Sequence, residues 1–155
     1  MDDREDSLVI DENLTRELVD EVLHIFNFSR FSKVVGSELV ALGKGRCLIT
    51  CPVNSDLLNS FGYVHGGVTA ALADICMGLA VATHGRKTLT AELTVNYFAP
   101  AGGGEVLNAE GRVVHQGGVL LVAECSIRGS DNRLVAIGKG LYMGRGSPLS
   151  GEKKV

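Results

Sequence analysis

The segment Gly66–Thr83, "GGVTAALADICMGLAVAT", constrains the fold more than any other part of the chain. It is rich in alanine and apolar almost all round, which predicts one long helix. A helix without a polar face must be enclosed by the rest of the protein. Its apolar part, Val68–Ala82, is too short for a membrane span and contains a carboxylate, Asp74, so we predict no span.

The other segments carry the periodicities of one more helix and of several strands. Asp11–Phe28 has apolar residues at helical spacing, which predicts an amphipathic helix docked on the body. Between Val34 and Val53 the pattern alternates, and we expect a hairpin that turns at Gly43–Gly45. After Gly85 we expect four more strands, with turns at "HQGG" and "GSDN".

The order of these elements predicts the fold class. One helix, two strands, the buried helix and four strands contain no repeated strand–helix–strand unit, so the sheet should be mainly antiparallel. We therefore expect an α+β fold in which a curved sheet wraps the long helix, with an additional N-terminal helix. Residues 11–146 are predicted to form a single domain, between a flexible acidic segment at 1–10 and a flexible tail at 147–155.

Charge and cysteine content argue against several classes of function. The 155 residues carry a net charge of −3, with scattered Lys and Arg, so we expect no nucleic-acid partner. The four cysteines form no CxxC pair and lack further ligands at zinc spacing, so we predict buried reduced thiols and no metal. No targeting signal is recognised, which favours the cytoplasm, with an organelle as the alternative.

The start of the buried helix offers the chemistry of an anion site. Unpaired N–H groups and the positive end of the dipole meet there, and Gly66 and Gly67 allow a carbonyl oxygen to approach closely. Asn59 can donate a second hydrogen bond from its side chain. This arrangement suits an oxyanion hole. The alternative is that "HGG" is simply a turn entering a helix.

Asp74 is the residue that a purely structural helix explains least well. An unpaired carboxylate among apolar neighbours costs several kcal/mol, so it is either a structural acid with a buried partner or a general base or nucleophile in a cleft. It lies eight residues beyond Gly66, about 12 Å along the helix. The two groups cannot share one site within one chain, so function would require an obligate homodimer with two equivalent sites.

With these residues in place, the sequence resembles a known family. "NSFGYVHGGVTAALAD", "YFAPA" and "VHQG" resemble the hotdog-fold acyl-CoA thioesterases of the PaaI/THEM2-like group, over about Ser32–Gly144. The resemblance implies hydrolysis of an acyl-CoA thioester without a metal or organic cofactor, since coenzyme A is part of the substrate. It also implies that two dimers associate into a tetramer.

The resemblance assigns a role to each catalytic candidate. The N–H of Gly66 polarises the thioester carbonyl with help from Asn59. Asp74 is the catalytic carboxylate, acting as general base on water or as direct nucleophile. Thr90 stands where the family has a serine that positions water, a departure that retains the hydroxyl but adds a methyl group.

Further positions correspond to substrate contacts in the family. These positions are His65, Gly67, Glu92, Tyr97 and His115. The resemblance makes His65 a helix-entry residue rather than a base. Strict strand alternation places Tyr97 on the opposite face from Thr90 and Glu92, so either a bulge intervenes or Tyr97 only packs.

Two other functions remain as alternatives. Dehydratases of the same fold have a proline-rich approach to the active helix, and "FGYVHGGVTA" contains no proline. Known acyl-CoA sensors carry a DNA-binding module, whereas residues 1–31 are acidic and too short for one. We therefore favour a thioesterase over a non-catalytic acyl-CoA-binding module and, less favoured still, a dehydratase.

Overall fold

The computed structural model describes residues 8–148, which form three α-helices and seven β-strands. The helices are α1 (Arg16–Phe28), α2 (Arg30–Val35) and α3 (Gly66–Ala82). The strands are β1 (Val9–Ile10), β2 (Glu38–Gly43), β3 (Arg46–Pro52), β4 (Arg86–Tyr97), β5 (Val106–Gln116), β6 (Leu120–Arg128) and β7 (Leu134–Pro148).

The strands form one sheet in the order β1-β2-β3-β5-β6-β7-β4. Every neighbouring pair is antiparallel except β1 with β2, which is parallel. Helix α3 packs against the five strands β3 to β7, so the sheet curves around it. A long helix enclosed by a curved antiparallel sheet is the hotdog fold, and the predicted α+β class is confirmed.

Helix α3 lies very close to the sheet because two strands carry glycine beneath it. A Cβ at Gly111 of β5 would lie 3.0 Å from backbone atoms of Cys76, and a Cβ at Gly138 of β7 would lie 2.9 Å from the Cβ of Ala73. Larger residues there would lift the helix away. Its buried face includes Leu72 and Met77, which are fully inaccessible to solvent. This close packing fixes the height of α3 above the strands that carry the site.

The N-terminal region differs from the prediction in detail. The amphipathic helix begins at Arg16 rather than Asp11, because the Thr15 side chain caps it by accepting from the N–H of Leu18. The short helix α2 was not predicted. Val9 and Ile10, assigned to the flexible N-terminal segment, instead pair with β2. Residues 147 and 148, assigned to the flexible tail, instead end β7. Residues 1–7 and 149–155 lie outside the described residues.

Other predictions concern the hairpin, the cysteines and the membrane. The hairpin turns at Gly43–Gly45 as expected, with Gly45 at φ +68°. All four cysteines are buried free thiols, and burial raises the pKa of Cys76 well above its ordinary value. Within residues 8–148, every helix is too short or too polar to cross a lipid bilayer.

Candidate active site

The carboxylate of Asp74 is held by two hydroxyl groups on the sheet. The Thr90 hydroxyl of β4 donates to Asp74 Oδ1 at 2.8 Å, and the Tyr142 hydroxyl of β7 donates to the same oxygen at 3.1 Å. No hydrogen bond reaches Asp74 Oδ2 from the part of the chain that the structure describes. One oxygen is therefore fixed, and the other remains able to accept a proton or to attack.

Tyr142 was not predicted as a site residue. It is only 2% exposed, and its ring occupies space that a side chain at Gly140 would fill. Burial, followed by the neighbouring charge of Asp74, raises the pKa of Tyr142 well above its ordinary value. The phenol therefore stays protonated and remains a donor to Asp74. Nothing local in "GLYMG" distinguishes this tyrosine from an ordinary core residue.

Asp74 lies in the wall of a cavity of about 440 Å³. The cavity is bounded by α1, by the face of α3 that runs from Asp74 to Ala82, and by β4 around Thr90. Its α1 wall is apolar and includes Phe26. Arg86 and Lys87 also line the cavity. A carboxylate in the wall of a partly open, mainly apolar pocket of this size is a typical arrangement for binding and converting a small organic group.

The start of α3 leaves one N–H group available. His65 caps the helix, and its Nδ1 accepts from the N–H of Gly67 at 2.9 Å. The N–H of Gly67 is thus occupied, which argues against the predicted substrate contact through that group. The N–H of Gly66 makes no hydrogen bond within residues 8–148. His65 has the helix-entry role, and Gly66 presents the free donor.

Asn59 is oriented by the loop that precedes α3. Its Oδ1 accepts from the N–H groups of Phe61, at 2.9 Å, and of Tyr63, at 3.2 Å. This pairing assigns the carbonyl side of the amide to the loop. The Nδ2 group, which has no hydrogen bond to the described residues, is left as a donor. Asn59 and Gly66 therefore each contribute one unpaired N–H donor near the start of α3.

A β-bulge in β4 decides which residues of that strand contact α3. Thr90 pairs with Tyr142 and Glu92 pairs with the next residue of β7, so Ala91 is the extra residue. Thr90 therefore faces α3, as does Tyr97, whose hydroxyl donates to the carbonyl of Gly66 at 2.8 Å. The prediction that strict alternation places Tyr97 and Thr90 on opposite faces was therefore wrong. The sequence left two alternatives, a bulge or a Tyr97 that only packs, and the structure has the bulge.

Two other predicted contacts lie away from Asp74. Beyond the bulge, Glu92 shares a face with Thr94, whose hydroxyl is 3.5 Å from the Glu92 carboxylate, and this face points away from α3. His115 is exposed on β5, which is separated from β4 by β6 and β7. The protomer therefore does not bring Glu92 or His115 together with Asp74.

Within the chain, the candidate site residues lie in two separate places. Asp74 with its two hydroxyl donors lies in the third turn of α3, whereas Gly66 lies at the start of the same helix, about 12 Å away. The described residues contain no group of three or more His, Cys, Asp or Glu side chains that could hold a metal ion. The chemistry available from the described residues is that of one carboxylate, at Asp74, and two unpaired N–H donors, at Gly66 and Asn59.

Comparison with known proteins relates this geometry to a family. The family model described as thioesterase superfamily matches residues 61–136. The candidate esterase F42H10.6 of Caenorhabditis elegans is 30% identical over 138 residues, covering 83% of this chain and 80% of that protein. The acyl-coenzyme A thioesterase PaaI of Escherichia coli is 26% identical over 121 residues, covering 78% and 86%.

Two solved structures support the same relationship. The structure of E. coli PaaI superposes with a TM-score of 0.83 at 23% identity, covering 88% of this chain and 99% of that chain, which shows the shared fold. A hypothetical thioesterase of Streptococcus pneumoniae, crystallised with coenzyme A, gives a TM-score of 0.76 at 27% identity, covering 81% and 98%. The resemblance drawn from the sequence motifs is confirmed: the chain belongs to the thioesterase superfamily.

Proposed function

We propose that this protein is an acyl-CoA thioesterase that hydrolyses an acyl-CoA to a free acid and coenzyme A. The observation that carries the proposal is the Asp74 carboxylate, which is anchored through Oδ1, has no hydrogen bond to the described residues at Oδ2, and lines a mainly apolar cavity. Membership of the thioesterase superfamily supports the reaction class. The relative PaaI and the coenzyme A bound to the S. pneumoniae structure support the substrate class.

In the general-base mechanism, Asp74 activates a water molecule. Oδ2 takes a proton from the water as its oxygen forms a bond to the thioester carbonyl carbon. The tetrahedral intermediate then collapses, the carbon–sulfur bond breaks, and the sulfur leaves as a thiolate that acquires the proton. Thr90 and Tyr142 hold the carboxylate in position throughout. No metal or organic cofactor takes part.

In the alternative mechanism, Oδ2 attacks the carbonyl carbon directly. Coenzyme A then leaves first, and water hydrolyses the resulting mixed anhydride between Asp74 and the acyl group. A single turnover in ¹⁸O water separates the two mechanisms. In the nucleophilic mechanism, water that attacks the Asp74 carbon of the mixed anhydride places the label in the Asp74 carboxylate and the product acid leaves unlabelled, whereas the general-base mechanism labels only the product acid.

The carbonyl oxygen of the substrate would be bound by a second copy of the chain. The N–H of Gly66 and the Nδ2 of Asn59 are unpaired donors, but Gly66 lies about 12 Å along α3 from Asp74 of the same chain, too far for both to act on one thioester. In the transition state the carbonyl oxygen becomes negative, and donors preorganised at that position stabilise it. Each site therefore combines Asp74 of one protomer with Gly66 and Asn59 of the other.

The exposed edge strand β4 provides a surface for this association. It has 12 residues and lies at the end of the sheet, with Leu89, Leu93 and Tyr97 exposed. A long uncovered edge with apolar side chains readily pairs with another strand. We infer that β4 pairs antiparallel with its own copy.

The contacts of β4 with α3 show what that pairing would achieve. A two-fold axis near Leu93 would set Thr90 of one protomer opposite Tyr97 of the other. Thr90 contacts Asp74, and Tyr97 contacts Gly66. The axis would therefore bring Asp74 of one copy towards Gly66 of its partner. Light scattering at catalytic dilution tests this, because an active monomer would contradict the shared site.

The decisive assay measures release of free thiol from a panel of acyl-CoAs by the parent and by Asp74→Asn. The asparagine can still accept hydrogen bonds from Thr90 and Tyr142 through its carbonyl, so the fold should survive. We expect kcat/KM to fall at least about 10²-fold in the variant. Binding of acyl-CoA without thiol release would indicate the binding module, and water addition to an enoyl-CoA would indicate a dehydratase.

A further inference from the structure

Gly78 has no structural reason to be glycine. It lies in the interior of α3, one turn beyond Asp74 on the same face, where glycine is less favourable than alanine. Its φ is not positive, and an added Cβ would have its nearest neighbour, Tyr142 Cε1, at 3.9 Å, an ordinary contact. Gly111 and Gly138, in contrast, are needed for close packing.

The space in front of Gly78 is part of the cavity that begins at Asp74. The cavity runs along α3 past Gly78 and Leu79 to Ala82; Phe26 of α1 contributes an apolar wall, and Arg86 and Lys87 line its β4 side. Because Gly78 lines this volume, a larger side chain at position 78 would occupy part of it. The small residue therefore keeps open a channel that starts at the catalytic carboxylate.

We propose that this channel receives the acyl chain of the substrate and that Gly78 determines the chain length accepted. The inference rests on the proposed thioesterase function and specifies its substrate class. From Asp74 to Ala82 the helix advances about 12 Å. An extended alkyl chain advances about 1.25 Å per carbon, given C–C bonds of about 1.5 Å. The channel thus fits a straight acyl chain of about eight to ten carbons.

Valine at position 78 would close the channel one helical turn from Asp74. The block would lie about 6 Å along the helix from the carboxylate, which leaves room for about five carbons at the same advance per carbon. Gly78→Val should therefore lose at least about 10²-fold in kcat/KM for octanoyl-CoA, since several methylenes lose their pocket. Butyryl-CoA should be hydrolysed within about threefold of the parent rate, because it ends before the block.

Two further variants separate this effect from damage to the fold. Gly78→Ala adds only the Cβ that the structure accommodates, so we expect a higher melting temperature and a smaller shift towards short chains. Gly118→Val adds the same volume in the β5–β6 turn, where a Cβ would meet no atom within 4 Å. We expect Gly118→Val to leave the ratio of octanoyl to butyryl turnover unchanged.

The outcomes are distinguishable from failure of the proposed function. An unchanged octanoyl-to-butyryl ratio in Gly78→Val, an equal loss for both, or a parent that prefers phenylacetyl-CoA to octanoyl-CoA would overturn the chain-length role. If the parent hydrolyses no acyl-CoA, the thioesterase proposal fails. In that case, calorimetry measures the binding of octanoyl-CoA and butyryl-CoA to the parent and to Gly78→Val. A loss of affinity for octanoyl-CoA alone in Gly78→Val would support the channel, and an equal effect on both ligands would overturn it.

Discussion

Replacing Gly66 by proline removes one N–H group from the start of α3 and leaves the backbone path unchanged. Position 66 is the first residue of the helix, where proline is well tolerated. His65 has ψ of 133°, in the extended region that proline requires of the residue before it. A Cβ at position 66 would lie 3.5 Å from the Tyr97 hydroxyl, an ordinary contact.

The size of the expected effect follows from the free N–H. That group makes no hydrogen bond within residues 8–148, so its loss should not weaken the fold. Proline at a compatible position instead stabilises a protein by about 0.4–1 kcal/mol, because the unfolded chain loses freedom. Loss of one oxyanion donor costs about 10²–10³ in rate, roughly 3–4 kcal/mol of transition-state stabilisation. Gly66→Pro should thus be at least as stable as the parent but nearly inactive.

The assay compares kcat/KM for thiol release from octanoyl-CoA and melting temperature across the parent, Gly66→Pro and Gly66→Ala. The alanine variant adds the same Cβ but keeps the N–H, so we expect nearly parental activity. Parental activity in both variants would refute the donor role of Gly66. An equal loss in both would attribute the effect to the added carbon beside Tyr97 rather than to the missing N–H.

Three other predictions address the dimer and the buried polar contacts. Co-expressed Asp74→Asn and Gly66→Pro chains should regain about a quarter of parental activity. Half of randomly formed dimers are mixed, and each mixed dimer contains one intact site of two. No recovery would contradict the shared site. Burial raises the pKa of Tyr142, so on raising the pH the phenol ionises in the unfolded chain before it does so in the folded one. The free energy of unfolding should therefore be unaffected by this group below about pH 10 and should decline above it. Above about pH 10, the melting temperature of Tyr142→Phe should decline less steeply with pH than that of the parent. Identical slopes for the two proteins would refute this. Arg133 donates a hydrogen bond to Glu105 at 2.8 Å, which lowers the pKa of Glu105 below its ordinary value of 4.5. The pair therefore stabilises the fold fully above about pH 4.5, and this stabilisation is lost as the pH falls below that value. Glu105→Gln should lower the melting temperature at pH 7 and differ little from the parent near pH 3; a constant difference would count against the charge pair.

Local patterns were sufficient for the helix and its chemistry. The apolar run from Gly66 predicted a buried helix that begins at that residue and ends within one residue of Thr83. Because the rise of an α-helix is constant, the separation of Gly66 from Asp74 followed from residue numbers alone, and with it the hypothesis of a site shared between two chains. The unpaired N–H of Gly66 was predictable because unpaired N–H groups occur at every helix start.

Strand faces were not predictable to the same accuracy. One extra residue, Ala91, reverses the alternation of β4, so Tyr97 contacts α3 while Glu92 points away from it. A bulge depends on pairing with a strand almost 50 residues later in the sequence, and "TLTAELTV" contains no turn residue that would announce it. The separation of His115 from Asp74 within the chain likewise depends on the order of strands in the sheet, which sequence order does not give.

By itself, the sequence determined the features that depend on neighbouring residues: a helix that must be buried, a carboxylate within it, and a free N–H group at its start. Only the tertiary structure decided what surrounds that carboxylate. Tyr142, 68 residues away, donates to it, and the gap between α1 and α3 forms the cavity over Gly78. Contacts of this kind arise from the packing of distant segments, and no periodicity along the chain encodes them.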